Sequence, residues 1–331
     1  MTATPLVRAT RIAFLLVAAL GLTACVSVPL PGPTETPTLN GEGAVHEDLA
    51  ETIVAEVFSE LAAADAASDA TLLTDRVAGA AKRVRAAEYI IAANGGDAPD
   101  VLPSGLLATY VSRSDTWPRA LALVTEPADA GHTPVVILLV QDNPRSPYQV
   151  RAWAHMLPGA TLPAMAPGVD GAEPLALDAL GLTSTPREAI ENYASLLSEG
   201  ATSEFESAFA PDDFRSRMFS SRTALAAAAK ARGGTYTDTV EARKDQTFVF
   251  QTAEGGALVF LPVNITSDFN VPGAQLLLPK ADKALLGSTL KSRAVHHYDD
   301  LLVLRISAVG SGVLPALVAA DHHLVAVTAV P

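Results

Sequence analysis

Apolar residues recur at helical spacing over Asp48–Ala67, where Leu49, Ile53, Val57, Phe58 and Leu61 predict one buried face. A second helical stretch runs from about Val77 to Ala93 and stops at Asn94-Gly95-Gly96. The period then changes. Ala120–Glu126, Pro134–Gln141 and Tyr148–Met156 read as strands, separated by turns at Asp129-Ala130-Gly131 and Asp142-Asn143-Pro144. In the third strand Tyr148, Val150, Ala152, Ala154 and Met156 alternate with Gln149, Arg151, Trp153 and His155, which predicts one apolar face.

Pro158–Pro186 is rich in Pro, Gly and Ala without periodicity, and reads as a linker or covering loop. Thr185-Pro186-Arg187-Glu188 then starts a helix, with Thr at the cap, Pro at the first position and an acid in the first turn. Ile190, Tyr193, Ala194 and Leu197 form its apolar face. Another helix is expected over Ser220–Arg232, ending at Gly233-Gly234. Strands follow at Thr235–Ala242, Gln246–Thr252, Ala257–Thr266, Arg293–Ala308 and Val313–Val330, with Gly310-Ser311-Gly312 as a hairpin turn. Helices followed by an antiparallel meander occur twice. That order predicts an α+β fold of two similar modules, 47–182 and 183–331, each with helices packed on a curved sheet.

Composition supports a folded chain. Of 331 residues, 49% are hydrophobic and only 18% charged, and each half is long enough to bury a core. The formal charge of −13 argues against a nucleic-acid partner, which needs a basic face. A single cysteine, Cys25, excludes an intramolecular disulfide and a zinc knuckle.

The N-terminus carries the most specific signal. Arg8 and Arg11 precede an apolar run, Ile12–Gly21, shorter than the ~20 residues a membrane span takes. It ends in Leu22-Thr23-Ala24-Cys25. This tetrapeptide resembles a bacterial lipobox, which implies cleavage between Ala24 and Cys25 and acylation of Cys25, with palmitate among the chains. The other readings are an ordinary secretory signal with an incidental cysteine, or an N-terminal membrane anchor. Residues 1–24 are then a signal peptide, and 25–46, with Pro29, Pro31, Pro33 and Pro37, a tether. Extended at ~3.1 Å per residue, that tether would reach roughly 60 Å. Cleavage removes only Arg8 and Arg11, so the mature chain is more acidic still, at −15, and its acyl chains must do the anchoring. The expected location is the extracytoplasmic face of the cell membrane.

Two wider resemblances follow. The helix–helix–meander order resembles the ketosteroid-isomerase-like (cystatin-like) cone, which implies an open-ended pocket between helix and sheet. The lipobox, Trp117-Pro118-Arg119, the Pro147-Tyr148 strand start and the helix bearing Tyr193-Ala194 resemble a family of actinobacterial cell-envelope lipoproteins of uncharacterised function. That likeness implies no reaction, and the cone hosts enzymes and binders alike.

No phosphate loop, dinucleotide fingerprint, nucleophile elbow or metalloprotease His pair is present. Lipidation would consume Cys25 and exclude cysteine catalysis. His296-His297 and His322-His323 lie on the last strands near Asp299, Asp300 and Asp321. A turn centred on Ser311 places Asp299 across from His323 and Asp300 across from His322. These four, His322, His323, Asp299 and Asp300, are the weak candidates for a metal. Strand alternation sends neighbouring histidines to opposite faces, so cross-strand charge pairs are the favoured reading, with no cofactor expected. Asp212-Asp213, with Tyr193 or Tyr236 as donor, could serve as pocket acids, but Ala210–Phe214 reads better as a cap for a short helix containing Arg215 and Arg217. Trp117 and Trp153 are candidates for one aromatic patch or for separate core edges. The residues favour a non-enzymatic binding or assembly module with the membrane and an envelope protein as partners. An extracytoplasmic enzyme, or a binder of a small apolar ligand in a cone pocket, is the alternative.

Overall fold

The computed structural model describes residues 43–166, 170–286 and 292–330. Two helices open the chain, α1 (Glu47–Ala67) and α2 (Gly79–Ala93). A four-stranded antiparallel meander follows: β1 (Leu106–Val111), β2 (Arg119–Thr125), β3 (Val135–Gln141) and β4 (Gln149–His155). Two more helices come next, α3 (Pro186–Glu199) and α4 (Asp213–Lys230). The second sheet contains β5 (Thr235–Ala242), β6 (Phe248–Gln251), β7 (Ala257–Asn270), β8 (Arg293–Ile306), β9 (Ala316–Ala320) and β10 (Leu324–Val330). A short α5 (Lys280–Leu286) leads into β8. Its strand order is β10-β8-β7-β5, with β6 paired to β7 and β9 to β8. Neither sheet closes. The fold is α+β.

Four layers stack in the order helices, sheet, sheet, helices. Leu121, Leu123, Ile137 and Leu139 of the first sheet pack under α1 and α2. Their neighbours Ala120, Ala122, Leu138 and Val140 face the other way, onto Phe250, Leu258, Phe260, Leu301 and Val303 of the second sheet. Val259, Leu261, Leu302 and Leu304 then meet Ile190, Tyr193, Leu197 and Phe214 of α3 and α4. A sheet buried on both faces needs apolar residues at both parities. The runs Arg119–Thr125 and Val135–Gln141 supply them. In the layer between the sheets, alanines of the first sheet face phenylalanines of the second, and Phe250 and Phe260 lie 5.2 Å apart. Small against large fills the gap.

Local details depart from simple alternation for identifiable reasons. Leu138 pairs with Ala152 but Leu139 with Val150, so Arg151 is an extra, bulged residue. The bulge puts Tyr148 and Val150 on the same side as Trp153, under the helices, and leaves Ala152, Ala154 and Met156 between the sheets. On α1, Ala50, Ile53, Val57, Leu61 and Ala64 form the buried face, whereas Leu49 is 52% exposed. The expected strand Val313–Val330 is broken at Asp321-His322-His323 into β9 and β10, which occupy consecutive stretches of β8. Strand β1 and helix α5 escaped the periodicity, being short and half-exposed. Helix α4 begins at Asp213, not Ser220, because Asp212 caps it by accepting from the Arg215 N–H at 2.8 Å.

Residues 158–166 and 170–185 lie along both sheets. Ala172 donates to the Val111 carbonyl of the first sheet at 2.7 Å, and Leu175 to the Val249 carbonyl of the second at 2.9 Å. Thr183 donates to Ser307 at 2.9 Å. The segment is thus a covering strap. It delivers the chain to Thr185, whose capping box with Glu188 starts α3.

The turn after α1 is held by one carboxylate. Glu60 accepts from the backbone N–H groups of Thr74 (2.9 Å), Asp75 (3.0 Å), Arg76 (3.0 Å) and Val77 (3.1 Å). Glu60→Ala orphans all four donors and is expected to lower stability by roughly 2 kcal/mol in urea denaturation. A loss below ~0.5 kcal/mol would show that water replaces the carboxylate at no cost.

Candidate functional site

The break Asp321-His322-His323 sits where the second sheet meets elements of the first half. Its two histidines diverge. The facing register expected from the turn at Ser311 holds: Asp299 donates its N–H to the His323 carbonyl at 3.1 Å. His322 Nδ1 pairs with Asp300 Oδ2 at 2.8 Å, and Asp300 Oδ1 accepts the His323 N–H at 2.8 Å.

On the α4 side, His322 stacks on Tyr298 with ring centroids 3.7 Å apart and planes 13° off parallel. Phe214 meets its edge at 6.3 Å. The ring helps line a cavity of about 260 Å³, together with Phe214, Arg217, Met218, Tyr236 and Tyr298. Asp300 is fully buried and fixes the imidazole through Nδ1, which leaves Nε2 unbonded. Burial pushes both phenols, Tyr236 and Tyr298, far above the usual tyrosine range, so they stay protonated as donors. Asp238 on the wall is held by Arg222 at 2.8 Å and by the Ser267 hydroxyl at 2.6 Å. Ser221 also lines this cavity, but among the described residues the only side-chain hydrogen bond of His322 is to Asp300.

On the other side, His323 meets Trp153 edge-on, with centroids 5.7 Å apart. Around it lie Glu88 of α2 and Asp100 of the following loop; one ligand atom from each of the three lies within 4.8 Å of the others. Arg85, fully buried, donates from Nη1 to Glu88 Oε2 at 2.9 Å and to the Asp100 carbonyl at 2.8 Å. Its guanidinium also lies 5.1 Å from the Trp153 ring centroid. Asp65, which accepts the Tyr89 hydroxyl at 2.6 Å, is 3.5 Å from Arg85 Nε. Asp321 accepts from both the backbone N–H and Nδ1 of His155, at 2.9 and 2.8 Å.

Charge states here reflect burial against partners. Burial pushes Glu88 up to about 7 despite Arg85. Burial also opposes the charge of Asp321, but the hydrogen bonds from His155 and the nearby imidazole of His323 hold it well below the usual carboxylate range. His323 resists protonation through burial, yet Asp321 outweighs that and its pKa is raised. His155 is raised by its bond to Asp321.

Other sequence candidates fall elsewhere. The weak metal set His322, His323, Asp299 and Asp300 does not converge: the two histidines point to opposite sides of the strand break, His322 toward Tyr298 and His323 toward Trp153, and Asp299 is taken by Arg83 of α2 at 2.6 Å and Asn264 at 2.5 Å. His296 pairs with Asp282 of α5 at 2.8 Å, and His297 faces Thr328 at 3.4 Å. Tyr193 is buried and donates to Asp212 at 3.0 Å, tying α3 to the cap of α4, so this pair lies outside the cavity that Tyr236 lines. Trp153 is 2% exposed while Trp117 lies at the surface over Arg119, so they form no shared patch. Ala24 and Cys25 lie outside the described residues.

Residues 43–318 match the family model described as a domain of unknown function, DUF8094. The chain belongs to that family. No curated protein and no solved structure matches it. Within this DUF8094 chain the matched span ends just short of the two histidines, so it includes Glu88, Asp100, His155 and Asp300 but neither His322 nor His323. No helix of the described residues is long and apolar enough to cross a membrane.

Proposed function

We propose that the protein is a membrane-tethered, extracytoplasmic lipoprotein that binds a small aromatic-bearing ligand in the cavity beside α4. The carrying observation is the His322 ring, clamped by buried Asp300, stacked on Tyr298 and lining an aromatic cavity of about 260 Å³. Apolar and polar side chains share the lining, and about 260 Å³, just under the usual range of ligand pockets, suits a ligand built on a small ring. Two protonated tyrosines and His322 Nε2 supply directional contacts, while Phe214 and Met218 supply stacking and apolar surface. Leu22-Thr23-Ala24-Cys25 supports the tether, with lipid on Cys25 as the membrane contact and an envelope protein as the partner that receives or presents the ligand. We read the two halves as two versions of one cone-like plan, since each lays two helices on one face of an antiparallel sheet.

A second reading, an extracytoplasmic enzyme, is favoured by the Asp300–His322 pair, which has the orientation of a general base. Binding is preferred because, among the described residues, His322 bonds no hydroxyl it could activate.

Two measurements test the proposal. Cys25→Ala is expected to leave an uncleaved or released protein without lipid; unchanged detergent partitioning and unchanged mass would remove the tether. Saturation-transfer NMR with phenol, indole and benzoate is expected to show binding that is lost in Tyr298→Ala. Equal signals from the native protein and the variant would remove the pocket.

A further inference from the structure

We infer that Glu88, Asp100 and His323 form a binding site for one divalent transition-metal cation. The site is separate from the cavity proposed above, on the opposite side of the strand break. One ring nitrogen and two carboxylate oxygens already lie within 4.8 Å of one another. Ligand atoms sit ~2.0–2.2 Å from zinc, so neighbouring ligands in a tetrahedron are roughly 3.3 Å apart. Small side-chain adjustments close that gap.

The second observation is the state of His323 itself. Its side chain is 10% exposed, and its Nε2 is buried with no hydrogen-bond partner among the described residues. Asp321 Oδ2 lies 3.5 Å away without hydrogen-bond alignment. A buried, unsatisfied ring nitrogen costs free energy unless something binds it. A cation would.

Charge balance points the same way. Asp65 and Glu88 flank the Arg85 guanidinium, while Asp100 and Asp321 lie beside His323. A dication on His323 would take the place of an imidazolium proton and offset the carboxylates gathered there. Arg85 does not block the ligands. It engages only Oε2 of Glu88 and the backbone carbonyl of Asp100, leaving Glu88 Oε1 and the Asp100 carboxylate open. In doing so it holds both ligands in place, the part that outer-shell hydrogen bonds play around metals. Asp100 is exposed, so the ion has a way in. One imidazole and two carboxylates leave a coordination position for water, and the mixed N/O set suits zinc, manganese or iron rather than calcium.

The test is zinc titration of the untagged full chain after chelator treatment and buffer exchange, read by calorimetry. One equivalent is expected to bind, with affinity weakened roughly tenfold or more in His323→Ala and in Glu88→Gln, and unchanged in His322→Ala. Circular dichroism checks that each variant folds. Should His323→Ala fail to fold, cobalt(II) added to the native protein decides: visible d–d bands saturating at one equivalent and displaced by zinc are expected. No saturable uptake, or equal loss in His322→Ala and His323→Ala, overturns the site.

Discussion

Made as separate polypeptides, 47–182 and 183–331 are expected to be insoluble or unfolded, and to recover structure only when produced together. Length alone allows each half its own core, but the layer between the sheets belongs to both. Leu138, Val140 and Met156 on one side face Phe250, Phe260 and Leu301 on the other. Exposing each such side chain forfeits ~1.5–3 kcal/mol. Five or six such side chains on each exposed face together cost about as much as the whole ~5–15 kcal/mol of a normal domain. Ionic ties cross the same division: Arg83 meets Asp299 at 2.6 Å, and His155 meets Asp321 at 2.8 Å. Circular dichroism and sedimentation of each piece, alone and co-produced, check this. Two monomeric pieces that each unfold cooperatively would show that the sheets merely touch.

Most elements were legible because their residues obey local rules. The capping box at Thr185, the glycine stops and the long runs at β2, β3, β5 and β8 each state their conformation within a few positions. What was not legible was how many faces a strand buries. Residues 135–141 are apolar at both parities, which signals a covered sheet but not what covers it. The bulge at Arg151 was invisible for a related reason: one extra residue reverses the faces, and only the partner strand shows it.

The site was half legible. A hairpin register could be counted from Gly310-Ser311-Gly312, and it correctly set Asp300 against His322. Gly310 and Gly312 both have positive φ, 82° and 69°, so the turn is encoded in residues that adopt such angles freely. No such counting reaches Glu88 or Asp100, which meet His323 across more than two hundred residues of chain. Arg85 was the available clue. It occupies a helix face otherwise made of Ala81, Val84 and Tyr89, where a charge needs a partner.

Arg85→Met is expected to be the most damaging single change at that cluster, lowering stability by about 3–5 kcal/mol at neutral pH. Methionine retains much of the apolar contact with Trp153, so the loss reports charge rather than volume. Without the guanidinium, Glu88 and Asp65 face each other's field without its positive charge, and the Asp100 carbonyl loses its donor. The pH dependence follows from Glu88, already raised to about 7 by burial. A carboxyl that holds its proton more tightly folded than unfolded makes stability rise as pH falls from its folded pKa toward its unfolded value near ~4.3. Removing Arg85 raises the folded value further, so the deficit of the variant should shrink between neutral pH and about pH 5 as Glu88 takes up a proton. Urea denaturation in EDTA at several pH values, with Arg85→Met and Arg85→Met/Glu88→Gln compared, is the measurement. Glu88→Gln should restore part of the loss at neutral pH and flatten the pH profile. A deficit independent of pH, with no rescue by the Glu88→Gln change, would mean that Arg85 acts through packing against Trp153 rather than by neutralising Glu88.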